Sequence, residues 1–137
     1  MATLAADKVR QFGAGFSEVL NDLPVVASDI IYEGAAVGLN AGNARPLVAA
    51  DKFVGFCVRQ VDNSAGAAGA KNVKLRRKGT VVIPVTGVTG VADHTKQVYA
   101  SDDDTFTLTS AGNSKIGRIV RFISGTTCEV EFEDQET

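Results

Sequence analysis

Tryptophan is absent from this chain, and histidine occurs once, at position 94. Cysteine occurs twice, proline three times and tyrosine twice. Each shortage narrows what the chain can be. One histidine and two cysteines are too few for the zinc sites that gather several such ligands at fixed spacings. Cys57 and Cys128 each sit inside an apolar alternating run, so both read as small buried hydrophobes and not as a disulfide or a catalytic thiol. No apolar run approaches the roughly 20 residues that span a bilayer, so no membrane span is expected. The opening MATLAADKVRQF has no continuous apolar core, so no secretory signal is expected either. Charge of one sign is also lacking. The formal net charge is −2, whereas a chain built to hold nucleic acid usually carries a basic excess.

What is present is a single domain's length, 137 residues with 45% hydrophobic content. From Asp29 onward the pattern is short strands and turns. AAVGLNAGNARPL places two apolar runs around a tight turn at Asn40–Asn43. KFVGFCVRQV is β-rich. NVKLRRKG alternates, TVVIPV is dense in β-branched residues, and Pro84 within it marks an edge or a bend. TFTLT and KIGRIVRFI follow. In the last run, Cys128, Val130 and Phe132 alternate with Thr127, Glu129, Glu131 and Glu133. Period two buries the first set and leaves the carboxylates in water, and with the ISGTT turn it makes residues 115–133 a β-hairpin. Six to nine short strands without a βαβ rhythm indicate an all-β barrel or sandwich.

Residues 1–28 stand apart as an N-terminal arm, with 29–137 as the β-domain. Val9, Phe12, Phe16, Val19, Leu20 and Leu23 fall at helical spacing, but Gly13 and Gly15 interrupt it. A helix is therefore confined to Ser17–Asp22, and Pro24 stops it. The alternative is an extended arm that finds its order on a partner.

DNSAGAAGAKNVKLRRKG, residues 62–79, combines a flat small-residue loop with five basic residues. It is not a phosphate-binding loop. Gly66 and Gly69 are too close, Ala70 separates Gly69 from Lys71, and Asn72 stands where a hydroxyl is needed. GAGFSE, residues 13–18, fails the dinucleotide pattern, since Glu18 replaces the third glycine. Lys74, Arg76 and Lys78 share one face of a strand, either solvated or set against an acidic protein surface. No aromatics interleave with them to stack bases, so direct nucleic-acid binding is not expected. Asp102–Asp104 reads as a solvated turn without calcium-loop spacing, and His94 as a surface histidine without a nucleophile beside it. No cofactor, metal or catalytic residue is expected, and the chain reads as a non-enzyme.

The ordered set Glu33-Gly34, Phe53–Phe56, Asn63–Ala70 leading into the basic strand, Val98-Tyr99, Asp102–Asp104, Thr107–Thr109 and Gly112–Gly117 resembles the capsid cement, or head decoration, proteins of tailed bacteriophages. The resemblance covers roughly residues 30–123. It implies a small β-barrel or β-tulip-like domain on the virion exterior, bound to the major capsid protein and homo-oligomeric, with a trimer favoured over a dimer. The contact residues expected for capsid or oligomer are Phe12, Phe16, Val19, Leu20 and Leu23 of the arm, and Lys74, Arg76 and Lys78 of the cationic strand. The loop 63–70 would let another backbone approach closely. Two rival expectations remain: a carbohydrate- or host-binding β-domain on the virion surface, for which the aromatic supply is thin, and a small β-barrel enzyme, for which His94 would have to matter.

Overall fold

A computed structural model describes residues 4–13 and 19–134. Its strands, in chain order, are β1 (Gln11–Phe12), β2 (Val19–Pro24), β3 (Asp29–Ile31), β4 (Ala36–Asn40), β5 (Asn43–Pro46), β6 (Phe53–Cys57), β7 (Val61–Asn63), β8 (Asn72–Pro84), β9 (Gln97–Ala100), β10 (Phe106–Thr107), β11 (Ser114–Ser124) and β12 (Thr127–Glu133). A single 3-10 turn spans Val91–Asp93, and no α-helix occurs among the described residues. The fold is all-β, as the alternation in the sequence requires.

The main sheet runs β10-β9-β11-β12-β8-β6-β4-β5, with every pairing antiparallel. It curls strongly. Thr86, just past the end of β8, pairs with Thr107, so β10 returns to the chain that leaves β8 and the sheet becomes barrel-like. The small β3–β7 sheet stands apart from it.

The hairpin expected over 115–133 is present as β11–β12, with Cys128, Val130 and Phe132 fully buried. The turn expected at Asn40–Asn43 joins β4 to β5, with φ of 53° at Ala41 and 88° at Gly42. Two consecutive left-handed residues are what a two-residue hairpin requires, and glycine at the second adopts that conformation without steric cost. The basic run and the TVVIPV run are not separate strands. They merge into β8, which is 13 residues long, and Pro84 is its last residue.

β8 is the spine. Lys78 is registered against both Val19 and Glu133, Val81 and Val82 against both β1 and β12, and Leu75 and Arg76 against both β2 and β6. A strand residue has only two edges. So β1 and β2 lie one after the other along one edge of β8, and β12 and β6 share the opposite edge.

Two apolar clusters fill the interior. The first gathers Phe53, Phe56, Phe106 and Phe132 with Val81, Ile83, Ile116, Ile119 and Val130. Phe132 makes edge-on contacts to Phe56, Phe53 and Phe12 at 4.9, 6.2 and 6.0 Å between ring centroids. Full burial of one such side chain is worth roughly 1.5–3 kcal/mol, and each aromatic pair adds about 0.5–1.5 kcal/mol. The second cluster gathers Val25, Ile31, Val37, Val73 and Leu75. β6 is buried on both faces, giving Phe53 and Phe56 to the first cluster and Val54 and Cys57 to the second.

Two expectations are corrected. Val19–Asp22 belong to a strand and not to the helix expected over Ser17–Asp22 (Ser17 and Glu18 lie outside the described residues). A six-residue helix is too short to be stable on its own, whereas β8 offers a ready row of backbone partners. Asp102–Asp104 is not simply a solvated turn. Asp103 is fully buried, its carbonyl accepts the Ala36 amide at 3.0 Å, and Asp102 pairs with Val48. The turn is pressed against the β4–β5 hairpin.

Candidate interaction surface

The outer edge of β8 is where most of the residues singled out in the sequence meet. Residues 8–12 alternate like a strand. Lys8, Arg10 and Phe12 point one way, while Val9 is 83% exposed on the other side. Phe12 packs edge-on against Phe56 and Phe132 and receives the Arg76 guanidinium over its ring at 4.3 Å. Cation–π stacking of this kind is worth about 0.5–2 kcal/mol.

Arg10 anchors the arm. Its side chain is only 2% exposed, and its guanidinium lies 5.3 Å from the Phe106 ring centroid and 5.8 Å from that of Phe56. Nε donates to the Gly34 carbonyl at 2.7 Å, and Nη2 donates to Asp104 Oδ1 at 2.8 Å. Lys8 Nζ reaches the same carboxylate oxygen at 3.0 Å. Burial pushes the Asp104 carboxyl up, but the hydrogen bonds from Arg10 and Lys8 and their positive charges outweigh it and hold it below its ordinary value. The Lys8 amide donates to the Glu33 carbonyl at 2.8 Å. Gly34, at φ 85°, is needed here, because a Cβ would overlap the Lys8 carbonyl oxygen. A cavity of about 170 Å³ remains beside this contact, lined by Lys8, Arg10, Phe12, Glu33 and Arg76 among others.

Of the expected arm contacts, Phe12 and Leu23 are partly buried against this chain's own two clusters. Leu20 is 40% exposed. The Val19 backbone pairs with Lys78, and Phe16 lies outside the described residues. Lys74, Arg76 and Lys78 do not share one face of β8 as expected, because the pairing with β2 slips by one residue between Lys78 and Arg76. Arg76 turns toward Phe56 and Phe12, whereas Lys78 lies on the opposite, outer face. Asp22 is registered beside Lys74 and Glu133 beside Lys78, and registered antiparallel neighbours project to the same face. Further along, Arg118 pairs with Glu131 and Arg121 with Glu129, both at 3.1 Å. The outer face that carries Lys78, Glu133 and these two pairs is charged and nearly balanced.

The flat loop 63–70 does receive a backbone, but it is the chain's own. The Gly69 amide donates to the Val25 carbonyl at 2.9 Å and the Ser28 amide to the Gly66 carbonyl at 3.2 Å. Asn63, 1% exposed, donates to the carbonyls of Val26 and Ala67. The Asp62 carboxylate, held below its ordinary value first by the Ser64 hydroxyl, closes the turn.

The remaining reactive groups serve the scaffold. Burial raises the Cys57 thiol to about 12 and also raises Cys128, so neither is a thiolate near neutral pH. His94 Nε2 accepts the Phe122 amide at 3.0 Å, standing in for a strand partner at the β11 edge. Among the described residues, no three His, Cys, Asp or Glu gather in a way that could hold a metal ion.

Arg10, Asp104 and Gly34 are the site residues that sequence reasoning missed. The period-two set Lys8, Arg10, Phe12 was the available signal, masked by the helical spacing that begins at Val9. A scan against protein-family models and a search of curated proteins return no match to this chain.

Proposed function

We propose that this chain is a structural virion protein that decorates the exterior of a phage head and stabilises it by bridging major capsid protein subunits. The observation that carries the reading is the ordered motif set over residues 30–123. Its short strand and turn signals fall on the elements of a compact all-β, barrel-like domain. Glu33-Gly34, Asp102–Asp104 and Phe53–Phe56 gather around the seat of the N-terminal strand. No reactive group described above is placed for chemistry, and the exposed face of the spine carries paired charges suited to a polar protein contact.

The mechanism is linkage. A protein that binds one lattice state better than another stabilises that state by the difference in binding free energy. A domain touching two subunits makes its second contact at high effective concentration, so modest contacts add up to firm adhesion. The polar, charge-balanced face fits this role, since non-obligate interfaces are about as polar as ordinary protein surface. Carbohydrate binding is the weaker reading, because every described aromatic side chain is buried or half-buried, which leaves little ring surface to stack on a sugar.

The test is made on purified heads with and without the protein. The expected result is a fixed stoichiometric ratio to the major capsid protein, and heads that lose their DNA at lower temperature when the protein is absent. A handful of copies per head, or equal heat and osmotic resistance in both preparations, would overturn the reading.

A further inference from the structure

We propose that the outer edge of β8 is a strand-exchange site: residues 8–13 of one copy can occupy this groove on a second copy, reciprocally, to build the homo-oligomer.

Every partner of this segment lies later in the chain. The groove consists of the β8 edge at Thr80–Val82, the Glu33–Gly34 corner, Asp104, and the Phe56, Phe106 and Phe132 rings. Any copy of the domain presents the same groove to any copy of the segment. The occupant it fits is therefore defined: an extended stretch with a cation two residues before an aromatic, as in Arg10-Gln11-Phe12.

The connection has room for exchange. Seven steps of chain separate Phe12 from Val19, yet their partners Val81 and Lys78 are only three steps apart on β8. Three strand steps cover about 10 Å, whereas seven extended steps reach roughly 23–25 Å. β1 and β2 also run in the same direction along one edge. Lifting β1 onto a neighbour therefore needs no chain reversal and can leave β2 in place. The reach sets a bound: the neighbour's groove must lie within about 25 Å of Lys78, which brings the outer β8 edges of two copies side by side.

Exchange conserves each contact, so the balance between closed and exchanged forms is governed by concentration. A short tether gives the closed arm an effective concentration in the millimolar range. Copies at that density, as side by side on a shell, exchange at little net cost, which is how swapping assembles identical chains. The inference draws on the reading above only for that crowding, and the test needs no heads.

The full-length protein is measured at ~1 mM, the tether's own effective concentration, by light scattering. Wild type is expected to show more than the mass of one chain. Arg10→Asp and Asp104→Arg should each reduce association at least tenfold. Their equimolar mixture should recover it, because each variant's arm then matches the other's groove. Deleting residues 14–17 leaves three steps between Phe12 and Val19, equal to those between their partners. That variant should keep its arm in place and remain a single chain. Retained β-signature in the far-UV spectrum separates loss of the arm from loss of the fold, and if a charge variant unfolds, the deletion carries the test alone. The proposal fails if wild type has the mass of one chain, if the mixture associates no better than its components, or if the deletion variant associates like wild type. Each of these failures leaves the result on purified heads untouched.

Discussion

Removing the Asp104 carboxylate isolates what the arm's anchor contributes. Asp104→Ala would leave the Arg10 guanidinium, 2% exposed, wedged between Phe56 and Phe106 with only the Gly34 carbonyl as a strong acceptor. Breaking a buried ion pair from one side usually costs about 3–5 kcal/mol. Asp104 itself is 28% exposed, and water reaching the vacated site lowers the loss to about 2–3 kcal/mol. The arm's total contribution is a ceiling, because the segment can lift away and hydrate Arg10. For a chain of this length each kcal/mol moves Tm by about 3–5 °C, so a fall of roughly 10 °C is expected. Arg10→Met keeps the apolar cover over the rings and removes the charge, and it should cost about 1 kcal/mol. The double variant should be no worse than Arg10→Met alone, leaving a coupling of about 2–3 kcal/mol in a double-mutant cycle read by urea unfolding. Strict additivity, or an Asp104→Ala variant within about 0.5 kcal/mol of wild type, the range of an ordinary surface substitution, would refute the reasoning.

Gly117→Ala places a Cβ onto the Glu131 backbone carbonyl across the β11–β12 ladder, where no flexible side chain can yield. Overpacking of this kind should cost at least about 2–3 kcal/mol, seen as a lowered thermal midpoint or loss of soluble protein. Acid should also destabilise the fold. Asp93 is held at about 2, first by the Lys96 hydrogen bond and then by the Thr89 and Gly90 amides, and Asp104 also lies below its ordinary 3.8. Both folded values are depressed, so their stabilisation is complete above the unfolded value of 3.8 and drains away as the pH falls towards about 2. Urea midpoints measured from pH 6 down to pH 2.5 should fall below about pH 4. Asp93→Asn should flatten part of that fall, and an unchanged pH profile in that variant would count against the assignment.

The β class and the terminal hairpin were legible because burial there follows the strand period. Cys128, Val130 and Phe132 are buried while their alternating neighbours are half-buried or exposed. The β2 strand was not legible, for a physical reason. Leu20, Asn21 and Asp22 are all exposed, so this strand has almost no buried face to write a period-two pattern. Its conformation comes from backbone hydrogen bonds to β8, which the side chains of residues 19–24 do not encode. The cationic set was legible only in part: parity keeps Lys74 with Arg76, but a slip in register past Arg77 turns Lys78 to the other face, and the neighbours Asp22 and Glu133 arrive from strands more than 50 residues away on either side. The Asp103 burial was hidden in the same way. An acid-rich triplet reads as solvated unless its partners are known, and Ala36 and Lys8 lie far back in the chain.

β8 also explains why the arm and the domain belong together. Without β1 and β2 a strand of 13 residues would expose most of one edge, a ready template for non-specific pairing with other chains. The arm closes that edge with two short strands of different character. β2 is bound mainly through its backbone, while β1 is set by the buried Arg10 and Phe12. Backbone pairing accepts almost any sequence, but a guanidinium between two phenyl rings with a carboxylate at its tip accepts very few. The edge is therefore covered by its least selective segment and guarded by its most selective one. A surface of that kind can open to its own sequence in a neighbouring copy while staying closed to others.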